Sequence, residues 1–498
     1  MEFIRSLFTS RKSPIVETDE VYPLTLIDHL APARGSVLSE TLRFDQVLDA
    51  DKLHDALTKL IQQHGDWRKL GGRLRLRLNG SLEIHVPREF TEERPAVHFT
   101  KQAFDITIEE HELGIQLPKL ADGPSLQPGP TVFDQFNPIP DRPQTWKDYA
   151  YSDRPILRLH VTSFTNSTLV TLIWSHVVFG GCGIKELITA WSKVLRGDDD
   201  VPALLGARTD ILEGIGTAKD ASVPFCLEPS KITGWSFVRI VLGLLWALWM
   251  HPKVETRALC LPRRFVSQLR KTCLKDLENA DGEGKGAFLS EGDVLEAWLA
   301  RFVGEARGDE KSALIMNALD IQSRLNAPWG AGGVYVQNTG VCTWTSITPD
   351  ILLRGPLGEL AYVIRRSIQE LATDEQIRAQ LRIFRSLGHT KMLPLFGDPN
   401  SHVMNFSNWS KFNLFDAADL SPAVVPNSPS LVGGHVGKPV YMHCQAVGEN
   451  RMLRNCFNIT GKDWDDNYWI TAFLYPEDWE KLEEYMELTQ LHISEKTT

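Results

Sequence analysis

From Thr168 to Ser175 the chain is mostly apolar, and at the strand period of two Val170, Leu172 and Trp174 share one face with His176. A second apolar run, Ile156 to Phe164, precedes it across the turn residues Thr165-Asn166-Ser167. Two such runs joined by turn formers predict a β-hairpin. After Gly183 the period lengthens: Ile184, Leu187, Ile188, Trp191, Val194 and Leu195 form one stripe that ends near Gly197, which predicts a helix. His176 therefore falls at a strand-to-helix junction, in the run Trp174-Ser175-His176-Val177-Val178-Phe179-Gly180-Gly181.

Similar patterns extend along the chain. Leu53, Leu57, Leu60 and Ile61 predict a helix from Ala50 to His64, and a short strand pair follows around Leu74 to Val86. Helices are predicted over Arg263 to Leu274 and Ser290 to Val303, the latter with Ser290 as N-cap and Asp293 completing an imperfect capping box. Strands are predicted over Lys438 to Ala446, Met452 to Ile459 and Tyr468 to Leu474, with a closing helix from Pro476. Proline, aspartate and glycine make Leu117 to Thr145 a long surface loop, and Gly197 to Pro202 a second polar linker. Trp235 to Met250 is nearly unbroken apolar sequence, interrupted by Arg239 and Gly243 and bounded by Gly234 and His251-Pro252. A bilayer span needs about 20 apolar residues, so this run predicts a buried or crossover helix, with an interfacial membrane contact as the other reading.

Composition narrows the class. A chain of 498 residues, 43% hydrophobic and 23% charged, buries a large core and suggests two or three domains. A net charge of -10 argues against nonspecific nucleic-acid binding. Seven cysteines without a C-x-x-C pair point to reduced thiols in an intracellular protein and give no metal site. Met1 to Lys12 is basic but lacks the apolar core of a signal peptide, so a cytoplasmic location is expected. Gly180-Gly181-Cys182-Gly183 is not followed by the Lys-Ser/Thr of a phosphate loop. Cys182 as a nucleophile would need a depressed pKa beside His176.

The junction block His-Val-Val-Phe-Gly-Gly resembles the His-x-x-x-Asp-Gly site of the BAHD acyltransferases and their fungal relatives, the trichothecene-type acetyltransferases. His176 and Gly181 match, while Gly180 stands where the family has aspartate. The segment Asp320 to Asn326, followed by Gly332 to Asn338, resembles the family strand whose arginine receives that aspartate, leaving Arg324 without its usual partner. Ser407-Asn408-Trp409-Ser410 and Leu414 to Leu420 resemble the stretch carrying the family's Asp-Phe-Gly-Trp-Gly motif; Asp419 stands for its aspartate, while Leu420-Ser421-Pro422-Ala423 replaces the rest, and Gly437-Lys438-Pro439-Val440 follows.

The resemblance spans nearly the whole chain and implies a mixed α/β fold. It implies two chloramphenicol-acetyltransferase-like domains, each a mixed β-sheet flanked by helices, with a tunnel between them. On the sequence these fall at 1–205 and 235–498, joined by a crossover linker over 206–234. It further implies a monomer that transfers an acyl group, acetyl being expected, from a coenzyme A thioester to a hydroxyl of a terpenoid, polyketide or alkaloid. No cofactor is bound permanently. His176 is the implied general base; Gly180, Gly181, Arg324 and Asp419 have structural roles; Asn408, Ser407 and Ser410 are candidates to hold the oxyanion. Because the aspartate and the second motif are both altered, two other readings stay open. One is the same tunnel working on a carrier-bound donor or an intramolecular condensation or cyclisation, and the other is a non-catalytic binding protein. His160, His435 and His443 read as ordinary histidines.

Overall fold

The computed structural model describes residues 13–137, 142–220, 222–279, 285–326, 329–330, 332–387, 391–428, 435–447 and 453–495. The expectations for Met1 to Lys12 and for Met452 lie outside them.

Two mixed sheets carry the architecture. One has five strands in the order Tyr441–Ala446, Val37–Phe44, Thr168–Ser175, Arg158–Ser163, His98–Ala103. The other has seven, in the order Gly340–Ile347, Ala313–Asp320, His402–Asn408, Cys456–Lys462, Tyr468–Leu474, Glu255–Leu261, Ser125–Pro128. Each takes one strand from the far side of the chain: Tyr441–Ala446 pairs antiparallel with Val37–Phe44, and Ser125–Pro128 pairs antiparallel with Glu255–Leu261.

Each sheet has its own core. Helices Ala50–Gln63 and Gly181–Arg196 bury Leu53, Leu57, Leu60, Ile184, Leu187 and Trp191 against the five-stranded sheet. The Trp191 indole donates to the carbonyl of Leu53 at 3.0 Å and ties the two helices together. Helices Arg263–Glu278, Glu291–Arg307, Leu357–Leu371 and Asp478–Glu495 share the second core with the seven-stranded sheet.

Strands Thr168–Ser175 and Tyr468–Leu474 have the boundaries expected from the sequence. Gly197 ends its helix in the left-handed region at φ 81, where an L side chain is strained. Ser290 accepts the Asp293 amide and the Asp293 carboxylate returns to the Ser290 amide, so the capping box is complete.

Two expectations fail. Leu117 to Thr145 is not simply a surface loop: it supplies the edge strand Ser125–Pro128, and Phe133 and Phe136 are buried against Leu117 and Phe164. A proline is tolerated on an edge strand because no ladder hydrogen bond is needed on its open side, so the polar, proline-rich composition concealed a strand. The apolar run forms the helix Gly234–Met250 as expected, but no residue of it is buried. Apolar sequence implies removal from water; here the described chain does not provide that cover.

Candidate functional site

The antiparallel pairing of Val37–Phe44 with Thr168–Ser175 runs one residue past the strand end, where the His176 N–H donates to the Ser36 carbonyl at 3.0 Å. The chain then turns through Val177, Val178 and Phe179 into the helix that begins at Gly181. Three contacts hold this turn. Val178 N–H donates to the Ser175 carbonyl at 3.0 Å. The Trp174 indole donates to the Phe179 carbonyl at 2.9 Å while its ring stacks on Phe179 with centroids 4.8 Å apart. The third contact comes from a distant segment: Asn338 Nδ2 donates to the His176 carbonyl at 2.8 Å.

Asn338 is itself anchored on a buried carboxylate. Its Nδ2 and its backbone N–H both donate to Asp28 Oδ1, at 2.8 and 3.1 Å, and Thr25 N–H donates to Asp28 Oδ2 at 2.7 Å. Burial pushes the Asp28 carboxyl up to about 6, against the Lys69 ammonium and the donors of Thr25 and Asn338. Lys69, equally buried, donates to the Pro23 carbonyl at 2.9 Å, and burial pushes it down to about 8 while Asp28 opposes.

The His176 ring is half-buried, and its Nδ1 is buried without an aligned hydrogen-bond partner among the described residues. Burial holds the imidazole below its usual value, offset in part by the carbonyls of His176 and Phe179 and by Asn338. The ring is therefore neutral near pH 7.

Gly180 adopts φ -116 and ψ -151, an extended backbone open to any residue. Space around it is tight: a Cβ there would lie 3.0 Å from Asn338 Oδ1 and 3.0 Å from His176 Cε1, so those two side chains would have to give by a few tenths of an ångström. At Gly181 a Cβ would come within 2.7 Å of the Trp409 ring and 2.8 Å of Phe412, so the start of the helix rests against Trp409.

Arg324 is not left unpaired. It donates to the Asp320 carbonyl at 2.6 Å and to Ser323 Oγ at 3.4 Å, closing the end of its own strand. The Asp320 carboxylate accepts the Thr339 hydroxyl at 2.7 Å, next in sequence to Asn338. Burial and the Asp320 carboxylate push the Cys182 thiol up, which removes the thiolate a nucleophile needs.

The oxyanion candidates are engaged close to home. Asn408 Oδ1 accepts Ser410 N–H at 3.0 Å and Ser410 Oγ at 2.6 Å, the geometry of an Asx turn. Ser407 Oγ accepts the Trp409 indole at 2.9 Å, one side chain away from Gly181. Asp419 lies against the last turns of the Gly181–Arg196 helix: its N–H donates to Ser192 Oγ at 3.1 Å, and its carboxylate takes Ser421 and Arg196. No described contact joins Arg324 or Asp419 to His176. His160 accepts or donates at Thr100 Oγ1 at 2.7 Å, His435 stacks on Trp464, and His443 is buried and held neutral, its pKa pushed down to about 3 chiefly by desolvation.

The structure thus brings His176, Gly180 and Gly181 together with Asp28, Asn338 and Trp409. The sequence pattern assigns no role to the last three. Asp28 has a signal, since it closes the apolar run Leu24-Thr25-Leu26-Ile27, where a carboxylate calls for a buried partner.

No family model matches the chain. It is 69% identical over 494 residues to the acetyltransferase pyiB of Pyricularia grisea, covering 98% of both chains. It is 36% identical over 490 residues to the O-acetyltransferase PaAT-2 of Phomopsis amygdali, covering 95% of this chain and 98% of that one. Among solved structures, F. sporotrichioides TRI101 complexed with coenzyme A and T-2 matches with a TM-score of 0.66 at 16% identity, over 95% of this chain and 98% of that one. At that identity the likeness is one of fold.

Proposed function

The chain belongs to the BAHD-like fungal acetyltransferases, and on that footing we propose that His176 is the general base for acetyl transfer from a coenzyme A thioester to a hydroxyl of a small secondary metabolite. The observation that carries the proposal is the anchoring of His176 by its backbone. Its N–H is fixed on Ser36 and its carbonyl on Asn338, which sets the ring without engaging Nε2.

A ring kept neutral by burial is ready to accept a proton. In the reaction proposed, Nε2 takes the hydroxyl proton as the oxygen bonds to the thioester carbon. The tetrahedral adduct then collapses, the carbon–sulfur bond breaks, and the departing thiolate recovers the proton from the imidazolium. No bond to the protein forms. Of the oxyanion candidates Ser407 is favoured, because its oxygen accepts from Trp409 and its own O–H is left to donate, whereas the Ser410 hydroxyl is already given to Asn408.

The test is to supply the purified chain with acetyl-coenzyme A and a panel of hydroxylated terpenoid, polyketide and alkaloid acceptors, and to follow thiol release and product. His176→Ala should lower the rate by about 100 to 10,000-fold at unchanged melting temperature. Retention of more than about a tenth of the rate would remove His176 from the role.

A further inference from the structure

The helix Gly234–Met250 is apolar apart from Ser236 and Arg239, and none of it is buried in the described chain. Ser236, Ile240, Leu244, Ala247 and Leu248 are half-buried and face the protein. Phe237, Val238, Val241, Leu242, Leu245, Trp246 and Trp249 point outward, with Trp246 62% and Trp249 70% exposed. At 100° per residue the outward positions sweep an arc of roughly 180°. That is wider than the roughly 100° stripe that one packed protein surface covers, so a fluid that wraps the helix fits better than a second rigid partner.

The charges around the helix say which fluid. Between Glu228 and Glu255 the chain carries Lys231, Arg239 and Lys253 and no carboxylate, within a protein whose net charge is -10. Lys231 and Lys253 are exposed at either end. The carboxylates nearest the C-terminal end are already engaged, Glu477 with His251 at 2.8 Å and Glu255 with Arg257 at 3.1 Å. Arg239 sits at the rim of the apolar arc and reaches sideways to Asn400 Oδ1 at 2.5 Å. Trp235 and Trp246 share that rim, where indoles favour the boundary between acyl chains and headgroups. The arrangement spans about 26 Å, and among the described residues no helix is long and apolar enough to cross a membrane.

We infer that this helix lies in the interfacial layer of a bilayer with anionic headgroups, its outward arc among the acyl chains and Lys231, Arg239 and Lys253 at the phosphates. The inference is independent of the chemistry at His176. It places the enzyme where an apolar acceptor partitions.

The full chain is tested by flotation with vesicles of phosphatidylcholine alone and of phosphatidylcholine mixed with phosphatidylserine. The wild type is expected to float with both, more with the anionic mixture, and less as salt rises. Leu242→Glu with Leu245→Glu should abolish flotation with either, at unchanged circular dichroism and melting. Lys231→Glu with Lys253→Glu should remove the preference for phosphatidylserine, weakening binding to that mixture by about five-fold or more per charge. Should the double glutamate variant misfold, Leu242→Glu alone takes its place. The inference is overturned if the wild type stays in solution with both vesicles, or if the glutamate variant floats as well as the wild type. A dimer seen by ultracentrifugation without flotation, and lost in the glutamate variant, would overturn it in favour of a second copy of the chain.

Discussion

Asn338 Nδ2 donates to the His176 carbonyl at 2.8 Å and, with the same group, to Asp28 Oδ1 at 2.8 Å. One amide thus clamps the turn that carries the histidine onto a carboxylate buried on another segment. In the family this chain resembles, an aspartate in the turn and an arginine outside it hold the loop. Here the turn offers only a carbonyl, and the anchoring charge lies on the far side of an asparagine.

Asn338→Ala should therefore act on both stability and rate. It removes two side-chain bonds and leaves the Asp28 carboxylate with fewer donors, a loss of about 1 to 3 kcal/mol in urea denaturation. The rate constant kcat should fall more than KM rises, because the histidine loses its register. Asn338→Asp should be worse on both counts, since it sets a second carboxylate against Asp28. A variant with wild-type kcat would dismiss the clamp.

At Gly180 the expected outcome is that no side chain improves the site. Gly180→Ala should lower kcat/KM because its Cβ meets Asn338 Oδ1 and His176 Cε1, both at 3.0 Å. Gly180→Asp should lower it further: its carboxylate would face the carbonyl oxygen of Asn338, and Arg324 is occupied by the Asp320 carbonyl. Paired rate and melting measurements on the two variants decide this. Aspartate outperforming alanine would mean that Arg324 can leave the Asp320 carbonyl and pair with the turn.

The pH–rate profile should be flat near neutrality and fall on the acid side, because protonating His176 removes the base. Burial lowers the His176 pKa, so the limb should lie below the ordinary value of 6.5. Asp28, raised to about 6 by burial, titrates in the same region and in the same direction for activity, since its protonation weakens the hold on Asn338. Measuring the profile in Asp28→Asn separates them: a limb that persists belongs to His176.

Glu40 offers a prediction about stability alone. It lies fully buried opposite Cys444, and neither carboxylate oxygen has an aligned partner among the described residues. Burial pushes its pKa from 4.5 up to about 8, with the Cys444 thiol opposing. A carboxyl with a raised folded-state value contributes stability that is complete below the unfolded value and is lost as pH rises through the folded one. Glu40→Gln should therefore melt higher than the wild type, by a margin that widens between pH 4.5 and 8 at no more than about 1.4 kcal/mol per unit and then levels. A margin independent of pH would point to packing instead.

What could be read from the sequence was local. The strand Thr168–Ser175, the turn after it and the helix Gly181–Arg196 are set by periodicity and glycine placement within a few dozen residues, and they put His176 where it is found. The clamp could not be read in the same way, because Asp28 and Asn338 stand 310 residues apart: Asp28 signals a buried partner, but nothing local says that the partner is Asn338. Trp409 was visible as a tryptophan, but its place over Gly181 depends on how two sheets meet. For the helix Gly234–Met250 the pattern gave its length and apolar character correctly and misled about its surroundings, since hydrophobicity reports aversion to water and not what replaces it.

The strands that each sheet takes from the far part of the chain bear on how the protein is made. The five-stranded sheet cannot close until Tyr441–Ala446 has left the ribosome, although its other four strands are complete by Ser175. For most of synthesis the Val37–Phe44 edge is therefore open, a row of unpaired backbone groups on a strand with only one half-buried residue. Cutting the chain at its midpoint would yield two fragments, each lacking an edge strand that the other holds, so complementation of co-expressed halves is a more natural expectation than independent folding.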